Sequence, residues 1–212
     1  MPDNVETRIY HTQQIAMFHK TNERFGGLSN MAPGFPITMN NHFIRTSEAL
    51  YQACRFPHLP EIQQLIIEQT SPMTAKMYAR KNLQHTREDW DSLRVAFMRW
   101  SLRAKLLQNQ STFGGLLLAT ESLPIVEYST KDAFWGAKPQ SDGTLVGKNV
   151  LGRLLMELRE LYRLNKIDCE QLKPLKIAEF NLFGEKIQAL TVNLNNENDV
   201  VSTAKYNQGI LI

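Results

Sequence analysis

Hydrophobic residues recur at helical spacing through the middle of the chain. The clearest case is the segment 87–108, whose apolar stripe consists of Leu93, Phe97, Trp100, Ala104 and Leu107. Residues three and four apart share one face of a helix, so this spacing predicts a long helix with one buried side. The other side carries basic residues, which predict a solvated face or, for a DNA substrate, a phosphate-contacting face: Arg94, Arg99, Arg103 and Lys105.

Similar apolar spacing predicts further helices, over 47–56, 61–70, 72–82, 113–120 and 151–164. Thr46 or Ser47 can cap the first of these, and Ser71 followed by Pro72 begins the third. Gly152 lies inside the last, where we expect it to permit close packing.

Short apolar or alternating runs predict strands at 15–19 and 124–129. A third run, 36–45, turns at Asn40 and Asn41, and because asparagine tolerates left-handed turn geometry this run predicts a hairpin.

The pattern changes after residue 164 to short apolar runs, which predict small strands and end in the polar tract 195–199. The whole chain is therefore predicted to be α+β and mainly α-helical, with a few short strands. We expect residues 1–164 to form one domain, and residues 165–212 to form a small β-rich C-terminal appendage packed on it.

Composition excludes several classes of protein. Lys and Arg number 24 against 21 Asp and Glu, a formal charge of +3 that is too small for a protein that coats nucleic acid. Cys54 and Cys169 lie far apart without zinc-ligand spacing, so we expect reduced thiols, no metal and no cofactor. Neither a secretory h-region nor a membrane-length apolar run is present in the sequence, which predicts a cytoplasmic protein outside the membrane.

Two stretches, 20–36 and 130–149, are rich in Gly, Asn, Pro and other turn residues and are predicted to be loops of the kind that build sites. Six segments in and around them resemble the NADAR family in order and spacing: FGGLSNMAPGFP, TSEALYQACRF, SPMTAKMYARKN, REDWDSLRVAFMRWSLRAKL, VEYSTKDAFWGA and GKNVLGRLLMELR. The resemblance spans about residues 17–163 and implies an α+β, mainly helical fold.

The resemblance also implies an activity. Members of the family cleave N-glycosidic bonds, either in early riboflavin-pathway intermediates or in ADP-ribosylated guanine, where they reverse the DNA modification made by DarT-type toxins. The run 20–36, with Lys20 where other members carry a small residue, is similar to the toxin-associated branch. Departures from the common pattern, at Ala49, Arg55 and 135–138, suggest a substrate other than the riboflavin intermediates.

Breaking a ribose C–N bond requires a carboxylate or nucleophile on one side and a proton donor on the other. Glu48 and Asp132 are the acids in matched motifs, each at the start of a predicted helix, where a helix-capping carboxylate is the alternative role. Lys20 is a third catalytic candidate: its amine could form a Schiff base with the opened ribose, the alternative being a solvated surface charge.

Further residues in the matched motifs are candidates for holding the substrate. Trp90 and Trp135 could stack a base, although core packing is the alternative for Trp90. Seven more residues are expected to bind the substrate through hydrogen bonds, a positive charge or a close approach of the backbone: Ser29, Asn30, Tyr51, Arg55, Gly136, Lys148 and Asn149. Backbone N–H groups at the helix beginning near Val150 could also receive an anion.

These observations lead to one hypothesis and two alternatives. The hypothesis is a hydrolase that releases ADP-ribose from guanine in DNA, the antitoxin of a cognate ADP-ribosyltransferase toxin. One alternative keeps the N-glycosidase chemistry and changes the substrate to a phosphorylated riboflavin precursor. The other is a non-catalytic module that binds ADP-ribose, NAD or the toxin.

Overall fold

The computed structural model describes residues 6–192, which form an α+β fold built mainly of helices, as predicted. Within this range the α-helices are α1 (Ser47–Ala53), α2 (Pro60–Ile67), α3 (Pro72–Lys81), α4 (Trp90–Gln108), α5 (Gly115–Leu118) and α6 (Val150–Arg163). The strands are β1 (Arg8–His11), β2 (Ala16–Phe18), β3 (Ile37–Met39), β4 (His42–Ile44), β5 (Ile125–Glu127), β6 (Lys138–Pro139), β7 (Thr144–Gly147), β8 (Gln171–Leu172), β9 (Asn181–Leu182), β10 (Glu185–Lys186) and β11 (Leu190–Thr191). None of the helices in residues 6–192 has the length and apolar character needed to cross a bilayer.

Helix α1 is buried along its whole length and packs against α2, α3 and α4. Thr46 caps it, because its hydroxyl accepts the backbone N–H of Ala49 at 3.3 Å. Helix α3 begins in the predicted manner, with Pro72 in the first turn and the Ser71 hydroxyl accepting from a backbone N–H. These caps fix where the two helices begin, and α1 and α3 both contribute to the wall of the pocket described below.

Helix α4 buries most of the predicted stripe, while Leu93 near its start is only partly buried. The predicted exposure of Lys105 is wrong. Lys105 is fully buried, and its Nζ donates to the carbonyl oxygens of Gly27 (2.7 Å) and Ser29 (3.0 Å). Helical spacing places Lys105 outside the buried stripe and cannot reveal that the 20–36 loop supplies these acceptors. The buried Nζ of Lys105 thereby ties that loop to α4.

A parallel pairing of β2 with β5 places Phe18 opposite Glu127. Helix α6 packs on β5 so closely that a Cβ at Gly152 would lie 2.1 Å from the carbonyl oxygen of Ile125. The close-packing role predicted for Gly152 is therefore confirmed. This contact fixes the position of the C-terminal end of β5, where Glu127 lies.

The remaining strands form small antiparallel units. The predicted hairpin is confirmed as β3–β4, with left-handed backbone at Asn40 (φ 47°) and Asn41 (φ 63°). The segment 130–149 is less irregular than predicted, because β6 and β7 lie within it and join β1 in a sheet of order β1-β7-β6. Its first part, 130–137, contains no named strand.

After α6 the chain forms the pairs β8–β11 and β9–β10, so short strands occur where they were predicted. This segment packs directly on α4: the ring of Phe180 lies 4.8 Å from that of Trp100, whose Nε1 donates to the carbonyl of Lys173 at 3.1 Å. Its described part thus shares the main hydrophobic core. The division at residue 164 stays a prediction, and the polar tract 195–199 lies outside the described residues.

Candidate active site

A pocket of about 430 Å³ opens between α1, α3, the first half of α4 and the two predicted site loops. Eight of the predicted site residues line it: Ser29, Asn30, Glu48, Tyr51, Arg55, Trp90, Asp132 and Trp135. The other four, Lys20, Gly136, Lys148 and Asn149, are not among the lining residues. The volume falls within the range of roughly 300–1,000 Å³ that small-molecule sites occupy.

Another cavity, of about 490 Å³, lies between α4 and residues 167–176. Its walls are mostly apolar, and Asp168 is the one acid among its described lining residues. The carboxylate of Asp168 already accepts the backbone N–H groups of Glu170 and Gln171. Because acid–base chemistry needs titratable groups that face each other, we place the candidate chemistry in the pocket beside α1.

Glu48 lies in the first turn of α1 with a nearly buried carboxylate that faces the pocket. Its Oε1 accepts from Nε2 of Gln52 at 2.9 Å and lies 3.9 Å from Nζ of Lys76. The carboxylate does not cap the helix, since Thr46 does so. Glu48 is therefore held by α1 as a buried, oriented acid.

Asp132 lies in an irregular turn, so its predicted position at the start of a helix is wrong. Its Oδ1 accepts the backbone N–H groups of Phe134 (2.8 Å) and Trp135 (2.9 Å). Such local bonds from a short carboxylate side chain stabilise a turn in competition with a helix. The Ser129 hydroxyl in turn accepts the backbone N–H of Asp132 at 3.0 Å. Asp132 thus shapes the turn that presents Trp135 to the pocket.

Glu127 is a further pocket acid, and the sequence interpretation missed it. Burial, reinforced by the negative charges of Glu48 and Asp132, raises its pKa from an ordinary 4.5 to about 7, while Lys76 acts in the opposite direction. A carboxyl group with this pKa is partly protonated at neutral pH and can donate a proton. The sequence clue was an acid ending an apolar strand directly before a site loop.

Gly136 and Asn149 position Glu127 rather than line the pocket. A Cβ at Gly136 would lie 2.6 Å from the Glu127 carbonyl oxygen, so only glycine allows these two segments of the backbone to approach this closely. Asn149 is buried with left-handed backbone (φ 49°), and its side chain bonds to β5.

The predicted anion site at the start of α6 is wrong. The backbone N–H groups of Lys148, Asn149, Val150 and Leu151 donate to carbonyl oxygens of residues 133–136. They are therefore occupied by the chain itself. The Lys148 ammonium lies 5.8 Å from the ring centroid of Phe134.

Three aromatic rings meet at the pocket. Tyr51 lies between Trp90 and Trp135, with ring centroids 5.1 and 5.8 Å away. Trp90 is nearly buried and is also covered by the ring of Phe97 and the guanidinium of Arg55. Trp135 is partly exposed, so it offers the more accessible surface for stacking a base.

Lys20 is exposed, and its backbone N–H donates to the Glu23 carboxylate at 3.2 Å. It follows β2 by two residues, and Phe18 at the end of β2 pairs with Glu127. The structure thus leaves Lys20 outside the pocket wall but attached to the strand pair that carries a pocket acid.

The pocket also contains cations that the sequence interpretation did not assign to it: Lys76, Arg80 and Arg94. Arg94 had been placed on the basic face of α4 with Arg99, yet only Arg94 turns into the pocket. Arg99 instead pairs with Glu157 at 3.0 Å outside it. Within residues 6–192 no three His, Cys, Asp or Glu side chains group as a metal site would need, and the expectation of a metal-free site stays a prediction.

Comparison with known proteins identifies relatives of this chain. The NADAR domain model matches residues 17–163. N-glycosidase YbiA of Escherichia coli (strain K12) is 37% identical over 164 residues, which are 75% of this chain and 96% of that protein. Riboflavin biosynthesis protein VVA0006 of Vibrio vulnificus (strain YJ016) is 36% identical over 148 residues, which are 70% of this chain and 38% of that protein. The NMR structure of E. coli YbiA superimposes with a TM-score of 0.60 at 35% identity, covering 75% of this chain and 92% of that chain.

The carboxylates and aromatic rings around this one pocket are groups that the hydrolysis of a glycosidic bond can use. The relatives narrow the bond to an N-glycosidic one. The chain belongs to the NADAR family, and it is an N-glycosidase. Its similarity to the toxin-associated branch stays a prediction.

Proposed function

We propose that this N-glycosidase removes ADP-ribose from guanine in DNA, yielding the unmodified base and free ADP-ribose. The observation that carries the proposal is the convergence of Glu48, Glu127 and Asp132 on one pocket beside Trp135. The substrate assignment draws its support from the sequence, through Lys20 and the departures at Ala49 and Arg55 from the pattern of other members.

The chemistry needs one acid that accepts a proton and another that donates one. Glu48, held beside Lys76, takes a proton from water, whose oxygen attacks the anomeric carbon of the ribose. As the C–N bond breaks, protonated Glu127 gives its proton to the departing guanine nitrogen. Transfer of the proton from Glu48 to Glu127 restores the starting state, so the net reaction consumes one water.

A second route to the same products uses Lys20, and it requires the exposed Lys20 side chain to reach into the pocket from its place outside the wall. Once the ribose ring opens at its anomeric carbon, the lysine amine adds there and the guanine nitrogen leaves, which forms an imine. Water then hydrolyses the imine, releasing ADP-ribose and the free amine. Borohydride added during turnover reduces such an imine to a stable adduct on Lys20, whereas direct water attack leaves the chain unmodified.

The remaining lining residues fit substrate-holding roles. We assign ribose binding to Asp132, whose Oδ1 is engaged by backbone N–H groups, and stacking chiefly to Trp135. Ser29 and Asn30 present hydrogen-bonding groups from the first site loop, and Asn30 is held by the hydroxyl of Ser47 at 3.3 Å. Trp90 we assign to holding Arg55.

The proposal also covers the partners of the enzyme and its location in the cell. An enzyme with this activity works on DNA in the cytoplasm and counteracts an ADP-ribosyltransferase toxin, so a neighbouring gene for such a toxin would support the antitoxin role. Membership of an N-glycosidase family argues against a purely binding module.

A second candidate substrate is a phosphorylated riboflavin precursor. Its support is that relatives from Vibrio vulnificus and Zea mays are named riboflavin biosynthesis proteins. The two candidates separate when the purified chain is incubated with an oligonucleotide carrying ADP-ribosylated guanine and, in parallel, with a phosphorylated ribosylamino-pyrimidine. Release of ADP-ribose from the oligonucleotide supports the proposal, and cleavage of the pyrimidine alone overturns it.

A further inference from the structure

Two arginines in the pocket wall have donors that the protein leaves unused. Nε of Arg55 and Nε of Arg94 are buried, and neither has a hydrogen-bond acceptor among residues 6–192. The guanidinium of Arg55 makes one long hydrogen bond, to the Thr86 hydroxyl at 3.4 Å. Buried polar donors are nearly always paired, so two unpaired ones at one pocket call for an acceptor from outside the chain.

Aromatic rings hold both guanidinium groups in place. The Arg55 group lies 4.1 Å from the ring centroid of Trp90, and the Arg94 group lies 4.1 Å from that of Phe134. Stacking covers one face of each guanidinium and leaves its edge, where the N–H donors lie, to contact a ligand. These contacts reduce the conformational entropy that each arginine loses when an anion binds.

The charged groups of the pocket also act on Arg55 and on Glu127. The charges that act on Glu127 come from Glu48, Asp132 and Lys76. Those that act on Arg55 come from Asp91, Glu48 and Arg94, so Glu48 is the charge shared by both sets. Burial and the like charge of Arg94 both lower the pKa of Arg55, and only Asp91 and Glu48 supply opposing carboxylates. An anion bound between the arginines would offset both effects.

We propose that Arg55 and Arg94 form a phosphate-binding subsite of this pocket, which holds a phosphate or diphosphate ester attached to the ribose while the acids act at the anomeric carbon. Guanidinium groups suit this ligand because their planar N–H donors match phosphate oxygens. The proposal rests on the proposed function for the reaction, but the binding of the phosphate group can be measured without turnover.

The test is calorimetric titration with three probes: ADP-ribose, ribose 5-phosphate and inorganic pyrophosphate. Arg94→Gln and Arg55→Gln are compared with Arg99→Gln, a matched control on the same helix as Arg94 whose partner is Glu157, outside the pocket. We expect the two pocket variants to bind the phosphorylated probes about 10- to 100-fold more weakly, the effect of losing a charge-assisted hydrogen bond. Arg99→Gln should bind as the wild type does.

The three probes distinguish a diphosphate ligand from a monophosphate ligand. They also test the phosphate-binding subsite separately from the proposed hydrolysis. A larger loss for ADP-ribose and pyrophosphate indicates a diphosphate ligand, and a larger loss for ribose 5-phosphate indicates a monophosphate. Either result supports the subsite, and the second does so while contradicting the ADP-ribose substrate. Equal binding by Arg94→Gln and Arg99→Gln, or no binding of any probe to the wild type, overturns the subsite even if hydrolysis is observed. Thermal melting verifies that each variant folds. If Arg94→Gln does not fold, Arg94→Lys, which keeps the charge, is measured in its place.

Discussion

Asn149, the residue directly before α6, is hydrogen-bonded through its side chain to β5, the strand that ends in Glu127. Its Oδ1 accepts the backbone N–H of Glu127 at 3.1 Å, and its Nδ2 donates to the carbonyl of Ile125 at 2.8 Å. Both contacts are made by one buried amide, and the left-handed backbone of Asn149 is a conformation that asparagine tolerates well. A residue outside the described pocket lining therefore anchors the backbone of the acid that the proposed mechanism uses as proton donor.

Replacing that amide tests the connection. Asn149→Ala removes both hydrogen bonds and places alanine in a left-handed conformation, so the free energy of unfolding should fall by about 2–4 kcal/mol. Because Glu127 loses its anchor, kcat should fall more than KM rises. Denaturant unfolding and steady-state kinetics measure the two effects, and an unchanged kcat would show that Asn149 has only a structural role.

The raised pKa of Glu127 predicts how activity depends on pH. If protonated Glu127 donates to the leaving base, kcat should decline as pH rises through about 7, where the group loses its proton. Glu127→Gln should reduce kcat about 10²- to 10⁴-fold and remove this upper limb from the remaining activity. The same limb persisting in Glu127→Gln would assign it to another group.

Glu127 should also affect stability. Since its pKa in the folded state, about 7, exceeds its ordinary value of 4.5, the folded chain binds more protons than the unfolded chain between these pH values. Its contribution to the free energy of unfolding is therefore fully present below pH 4.5 and is lost as pH rises through about 7. Glu127→Gln should flatten that decline in denaturant titrations across the window.

Burial of Lys105 predicts that the free energy of unfolding changes with pH in the opposite direction at alkaline pH. Desolvation lowers its pKa well below 10.5, so the unfolded chain binds more protons than the folded chain up to that pH. The free energy of unfolding should therefore rise with pH, by at most about 1.4 kcal/mol per unit, and Lys105→Met should lack this rise. Denaturant midpoints from neutral to alkaline pH measure it, and equal slopes for both chains would contradict the buried, deprotonation-prone amine.

How far the sequence predicts this molecule depends on the range of each interaction. Helical spacing and caps are local, which is why the bounds of α1, α3 and α6 were predicted to within a few residues. The motif residues of the 20–36 loop and α1 also lie at one pocket. These features depend on neighbours along the chain or on a family pattern that covers them.

The misassigned residues depend on contacts between distant segments. Glu127 was correctly predicted to lie in a strand, but its raised pKa depends on its burial in the folded chain and on the nearby charges of Glu48 and Asp132. The buried state of Lys105 required carbonyls from the 20–36 loop, and the occupied helix start at Val150 required carbonyls of 133–136. No spacing rule within one segment contains that information.

The most direct test of the account is the rate of N-glycosidic cleavage by Glu48→Gln beside Glu157→Gln, on whichever of the two candidate substrates the wild type cleaves. Glutamine keeps an acceptor for Gln52 and removes only the charge, while Glu157 is an exposed acid paired with Arg99 outside the pocket. The account predicts that Glu48→Gln loses about 10²- to 10⁴-fold in kcat with an unchanged melting temperature, and that Glu157→Gln keeps the wild-type rate. A folded Glu48→Gln chain that cleaves at the wild-type rate would contradict it.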